Sequence, residues 1–157
     1  MKTIGRQFAD YSLGLSYRDL PREVVHQTKK VLLDTLGCAI GGYASQASTI
    51  LRSLIPELKG PRESTVIGDG TKTSCLYVTL ANGAMVRYLD YNDTYFSPGP
   101  VLAGAHSSDI IPSILAVAER QRSTGEQVIA AVVAGYELSA RFTDGCTVGK
   151  TLEQRGW

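Results

Sequence analysis

The sequence is poor in the features that mark several specialised classes of protein. Its longest apolar stretches, such as Val128–Gly135, are too short to cross a bilayer. The start of the chain soon becomes polar and lacks the apolar core of a signal peptide. Sixteen basic and fifteen acidic residues leave a formal net charge of +1, without the cationic clusters that nucleic acids or anionic membranes require. We therefore expect a cytoplasmic protein with no nucleic-acid or membrane partner.

Cysteine is also scarce. Cys38, Cys75 and Cys146 are far apart, form no CxxC motif and have no pair of histidines near them. A disulfide framework or a metal site needs closer and paired spacings. We expect reduced, mostly buried thiols and no bound metal.

Helical periodicity is the dominant pattern in the 157 residues, which suffice for one globular domain with its own core. A glycine pair, Gly41-Gly42, is expected to end the longest helix, because glycine tolerates positive φ. Asp109 is a candidate N-cap, with Pro112 in the first turn that follows. The segments predicted to be helical are Ile4–Leu15, Pro21–Gly42, Ser45–Leu58, Thr73–Asp90, a helix beginning near Asp109, and Glu126–Thr143.

One segment has an extended pattern instead. Ser64–Ile67 is β-prone, and Gly68-Asp69-Gly70 has the composition of a turn. Those glycines lack the spacing of a nucleotide-binding loop. The sequence therefore predicts an all-α, multi-helix domain with one short extended or hairpin element.

Candidate site residues surround the least helical stretch, Tyr91–Ser108. Asp90 and Thr94 would share a face if the preceding helix continued through them. His106 precedes a predicted helix start, where free N–H groups favour an anion and an imidazole can move a proton. The alternative is that these residues are turn formers, caps and a solvated histidine. His26 is expected on a solvated helix face.

Several short motifs, in order along the chain, resemble those of the MmgE/PrpD family. Any one of them is weak, but their combination spans essentially the whole chain. The motifs are the Asp-x-Leu-Gly core at Asp34–Gly37, Asn82-Gly83, the run Asp90-Tyr91-Asn92-Asp93-Thr94, His106–Pro112, Gly135-Tyr136-Glu137, and Arg155-Gly156-Trp157, which is similar to the beginning of an Arg-Gly-Trp-His segment.

The resemblance implies a cofactor-independent lyase that acts on small di- or tricarboxylates, as 2-methylcitrate dehydratase and cis-aconitate decarboxylase do; the family also includes an iminodisuccinate epimerase. It implies a helical domain, a smaller α+β lid, and a site in the cleft between them. By motif match, Asp90, Thr94 and His106 are the catalytic positions from the helical domain. Asp90 would orient a partner or transfer a proton, Thr94 would donate a hydrogen bond to substrate, and His106 would bind a carboxylate or act as the acid.

The family's later lysine, tyrosine and further histidine have no match in this sequence. We therefore expect residues 1–157 to be the amino-terminal portion of the helical domain, without the lid and inactive alone. Expected partners are the small carboxylate substrate in the complete enzyme, a second copy in a homodimer, and a second chain that supplies the lid. The alternative is a non-catalytic helical interaction module or one half of a two-chain split enzyme.

Overall fold

The computed structural model describes residues 2–97 and 104–145. Within these ranges the chain forms α-helices with short 3-10 turns and two small hairpins, so the predicted mostly helical class is confirmed. The elements are α1 (Ile4–Gly14), α2 (Arg22–Gly42), α3 (Gln46–Leu54), β1 (Ser64–Thr65), β2 (Lys72–Thr73), α4 (Cys75–Tyr88), β3 (Tyr95–Phe96), β4 (Gly104–Ala105), α5 (Ile111–Gln121) and α6 (Gly125–Gly145), with 3-10 turns at Tyr17–Asp19, Ile55–Leu58 and Ser107–Ile110.

Several helices begin at side chains that accept a hydrogen bond from the first turn. Thr3 accepts from the N–H of Arg6, and Ser45 accepts from the N–H of Ser48. At the start of α6, Thr124 and Gln127 accept from each other's backbone N–H groups. Each contact satisfies a donor that the helix itself leaves unpaired, and so fixes where the helix starts.

The glycine pair marks the end of α2 as predicted, but neither glycine adopts positive φ. The helix continues through Gly42, and Tyr43 follows in a right-handed helical conformation. Among the described glycines, positive φ occurs at Gly68 and Gly70. A Cβ at Gly42 would overlap the carbonyl oxygen of Met85, so this glycine lets α2 approach the backbone of α4.

The hairpin predicted near Ser64 is present, because β1 pairs antiparallel with β2. A second antiparallel pair, β3 with β4, lies inside the stretch predicted to be irregular. Its register places Tyr95 opposite Ala105 and Phe96 opposite Gly104. The prediction of a single extended element was therefore wrong: short two-residue strands leave no periodic pattern in the sequence.

The core lies between α2, α4 and α5. Helix α4 buries one face, and its other side exposes Leu76 and Leu80. No helix in these ranges is both long and apolar enough to cross a membrane. The buried cluster consists of Ala39, Ile55, Val66, Val78, Ala81, Met85, Val86 and Ala116.

Candidate active site

The end of α4 places Asp90 outside the helix. The helix ends at Tyr88, and Asp90 has a φ of 54°. Aspartate tolerates this left-handed conformation better than most residues. Because the helix ends before Asp90, the condition under which Asp90 and Thr94 would share a helical face is not met.

The Asp90 carboxylate pairs with Arg87, one turn earlier on α4. This hydrogen bond, together with the charge of the guanidinium, holds the pKa of Asp90 below its usual value. The Asp90 side chain is 71% exposed. Asp90 is thus a solvent-accessible anion at neutral pH, in a position to meet a ligand or a second protein segment.

His106 lies beside Asp90 and is held in one orientation. Its Nδ1 lies 2.8 Å from the carbonyl oxygen of Asp93. A carbonyl accepts but cannot donate, so Nδ1 carries the hydrogen. Its Nε2 lies 3.9 Å from Oδ1 of Asp90. Nε2 is therefore the free nitrogen of the neutral ring, and it faces the Asp90 carboxylate.

The second hairpin brings the two ends of the site together. Tyr95 pairs with Ala105, so continuing the register by one residue sets Thr94 opposite His106. Thr94 itself is exposed. In the described part of the chain, the polar side-chain contacts of Asp90 and His106 are to Arg87, Asp93 and each other, and none is to Thr94.

The turn after His106 is capped from a distance. The carboxylate of Asp93 accepts from the N–H of Ser108 at 3.0 Å. Asp109 lies inside the 3-10 turn Ser107–Ile110, and α5 begins at Ile111, so the prediction that Asp109 is an N-cap was wrong. Pro112 lies in the first turn of α5 as predicted. One N–H that a bound anion could have used is already occupied by Asp93.

Two further residues of this network were not predicted from the sequence. Asn92 is buried, and its amide group donates to Oγ of Ser108 at 3.1 Å and to Oδ1 of Asp109 at 3.0 Å. Arg87 contacts both Asp90 and Asn92. The spacing of three between Arg87 and Asp90 was a readable signal, whereas the contacts of Asn92 join segments that only the fold brings together.

Beneath the network lies Tyr136, from the Gly-Tyr-Glu motif on α6. Its buried hydroxyl faces Asp93 and Ser108 without forming a hydrogen bond in the described part of the chain. Burial and the negative charge of Asp93 raise its pKa above the usual range, so the phenol stays protonated. Asp93 and Tyr136 also line a 330 Å³ cleft between α2 and α6.

Asp90 and Thr94 are exposed, whereas the His106 side chain is 25% exposed. The 330 Å³ cleft, and a 510 Å³ cleft between the segment Ser12–Arg18 and α6, contain neither Asp90, Thr94 nor His106. Within residues 2–97 and 104–145, no three or more His, Cys, Asp or Glu side chains are arranged to hold a metal ion. The other predicted surface histidine, His26, is exposed on α2 as expected.

A helical domain that presents an imidazole and a carboxylate at one surface is the class that the fold and site define. Comparison with protein families adds the specific relationship. The MmgE/PrpD N-terminal domain matches residues 6–152. The chain belongs to this family.

Curated relatives agree with that assignment. The chain is similar to a cis-aconitate decarboxylase of Aspergillus terreus, with 26% identity over 96% of the chain and 31% of the relative. It is 29% identical to a 2-methylcitrate dehydratase of Cupriavidus necator over 70% of the chain and 24% of that protein. An alkylcitrate dehydratase of Talaromyces stipitatus is 32% identical over 76% of the chain and 26% of its own length. The chain therefore spans a third or less of the length of these relatives.

Proposed function

We propose that this chain is the helical-domain part of a cofactor-independent lyase acting on small di- or tricarboxylates, and that it is inactive alone. The observation that carries the proposal is the pairing of Asp90 with His106, whose Nε2 faces the carboxylate at 3.9 Å. The family and the names of its dehydratase and decarboxylase relatives support the reaction class.

The chemistry starts at a carbon next to a carboxylate. In a dehydration, a base removes the proton from that carbon, and an acid protonates the departing hydroxyl, so water is lost. In a decarboxylation, carbon dioxide leaves, and an acid returns a proton to the carbon skeleton. His106 suits either proton transfer because its Nδ1 is fixed and its Nε2 is available. Thr94, exposed beside it, would donate a hydrogen bond to the substrate.

The described surface lacks much of what such a reaction needs. A tricarboxylate requires several fixed donors or cations that a pocket shields from water. Among the described residues around Asp90 and His106, Arg87 is the cation in contact, and the carboxylates of Asp90 and Asp109 already lie against it. We therefore propose that a lid, in the same protein or in a second chain, completes the site. The proposed assembly is a homodimer that binds a small carboxylate.

A second candidate is a non-catalytic helical interaction module. The observation in its favour is the amount of exposed apolar side chain in the described part, including Leu33 at 73% and Leu76 at 69%. Such side chains mark surfaces that other protein segments cover. This reading shares the helical scaffold but gives Asp90 and His106 no role in chemistry.

Two measurements test the first candidate, and the second of them also separates it from the interaction module. First, the purified chain is assayed with 2-methylcitrate and cis-aconitate, and no turnover is expected; clear turnover would overturn the proposal that the site is incomplete. Second, the histidine ring signals are followed by NMR while a tricarboxylate is added. We expect the His106 signals to move and those of His26, which is exposed on α2, to stay. Equal behaviour of the two rings would favour the interaction module.

A further inference from the structure

Arg87 contacts several of the polar side chains around the candidate site. Its Nη1 donates to Oδ1 of Asp90 and, at 3.3 Å, to Oδ1 of Asn92. Its Nε lies 3.7 Å from Oδ2 of Asp109. A single guanidinium thus meets oxygen atoms from the end of α4 and from the turn that precedes α5.

We propose that Arg87 is a positioning residue, which holds the Asp90 carboxylate beside His106 and, through Asn92, ties α4 to the turn that follows His106. The inference rests on the proposed function, because it takes Asp90 and His106 to be the reacting groups. The new element is that Arg87 and Asn92 act through Asp90 and His106.

The backbone at Asp90 makes the arrangement possible. Its left-handed conformation, with a φ of 54°, follows the last residue of α4, Tyr88, and the capping residue Leu89. A helix continuing past Asp90 would carry Asn92, five residues after Arg87, to another face. With the helix ended, both side chains reach the same guanidinium.

The side-chain amide of Asn92 connects Arg87 to the turn in one orientation only. Its side chain is buried at 5% exposure, with Oδ1 toward Arg87 and the amide nitrogen toward Ser108 and Asp109. The reverse orientation would set amide hydrogens against the guanidinium and the amide oxygen against a carboxylate. Only one orientation therefore satisfies all the partners, and it fixes the turn that begins one residue after His106.

The geometry calls for arginine rather than for any cation. The planar guanidinium offers five donors in a fixed fork, whereas lysine offers a compact charge on a flexible stem. Lysine at position 87 would keep the attraction to Asp90 but would not hold Asp90 and Asn92 together. Because the pair is exposed, with Arg87 at 41% and Asp90 at 71%, its contribution to stability is small. Its effect lies in geometry.

The test uses NMR on the chain with R87M, R87K and a control, R6M. Arg6 forms a comparable exposed ion pair with Asp10 on α1. In R87M we expect the titration midpoint of Asp90 to rise toward the ordinary value of 3.8, and the Asn92 side-chain amide to lose its exchange protection by at least about tenfold. R87K should keep part of the Asp90 shift and still lose the Asn92 protection. R6M should change neither.

Two results would overturn the inference. One is unchanged exchange protection of the Asn92 side-chain amide in R87M. The other is an R87K variant that matches wild type in both the Asp90 midpoint and the Asn92 protection, because any cation at position 87 would then suffice. Far-UV circular dichroism identifies a variant that has not folded, and R87Q then replaces R87M. None of these readouts requires turnover or substrate. Failure of the proposed function would instead appear when a tricarboxylate is added and the His106 ring signals do not move.

Discussion

At the scale of single residues, the local chemistry of the site depends on which atoms are already bound. Asp93 uses its carbonyl oxygen for His106 and its carboxylate for the N–H of Ser108. It therefore acts as a structural residue, although it belongs to the same motif as Asp90 and Thr94. Asp90 keeps its carboxylate exposed and ionised, because its partner Arg87 lowers its pKa.

The tautomer of His106 gives a direct prediction. In alkaline solution, where imidazoles are neutral, Nδ1 of His106 should carry the hydrogen, because it donates to the carbonyl of Asp93. The measurement is the ¹⁵N chemical shift of both ring nitrogens. The chain has two histidines, and the exposed His26 is the internal reference. A His106 spectrum with hydrogen on Nε2 would contradict the contact.

At the scale of elements, glycines decide how closely helices approach. Gly42 on α2 faces the backbone of Met85 on α4, and Gly135 on α6 faces Ile110. Gly37, which precedes Gly42 on the same helix, faces open space. These glycines look alike in the sequence but differ in what a side chain would meet.

Alanine substitutions should separate these roles. In G42A the new Cβ would overlap the carbonyl of Met85 and lie 2.9 Å from its carbonyl carbon, which we expect to cost about 1–3 kcal/mol of unfolding free energy. In G37A the helix interior gains a better helix former, worth about 0.5–1 kcal/mol. Urea denaturation measures both. Loss of stability in G37A equal to that in G42A would contradict the close approach.

A second element contact joins the first hairpin to α5. Glu119 accepts hydrogen bonds from the N–H and hydroxyl of Thr65, at 2.7 and 2.6 Å, and from Lys72 at 3.0 Å. Burial by itself raises the pKa of Glu119, but these bonds outweigh it and hold the pKa below the ordinary value of 4.5. The unfolded chain therefore binds a proton at Glu119 more readily than the folded chain does.

This difference predicts a pH-dependent effect. Because the folded pKa is the lower one, the contribution of Glu119 is full above about pH 4.5 and is lost as the pH falls through the folded value. We expect E119Q to cost about 1–2 kcal/mol at neutral pH and less in acid. Urea denaturation of both proteins across this range checks the sign. A destabilisation by E119Q that grows as the pH falls would contradict the prediction.

At the scale of the whole molecule, the described part leaves many apolar side chains in water. The exposed aliphatic side chains on α2 and α4 include Leu33, Ile40, Leu76 and Leu80, with exposures of 73%, 65%, 69% and 55%. Both helices also form the core with their opposite faces. Such a distribution is typical of a domain that packs against further protein, in keeping with the proposed homodimer and lid.

We expect the chain to associate with itself in solution. Sedimentation should give an average mass above the 16.9 kDa of one chain, rising with concentration, since covering these side chains removes apolar surface from water. Mutation of His106 to alanine should leave the association unchanged, because His106 is not one of these exposed apolar side chains. A single species of one-chain mass across the concentration range would contradict the expectation.

The sequence by itself determined the helical class, most helix boundaries to within a few residues, the first hairpin and the family. Periodicity, capping residues and ordered motifs are local signals, and they can be recognised without knowledge of the fold. The second hairpin, the role of Gly42 and the network of Arg87, Asn92 and Asp93 needed the tertiary structure. Those features depend on contacts between segments distant in the chain, such as Asn92 with Ser108, and on the left-handed turn at Asp90. The sequence motifs pointed to Asp90 and His106. Only the fold shows that Nε2 of His106 faces the carboxylate of Asp90.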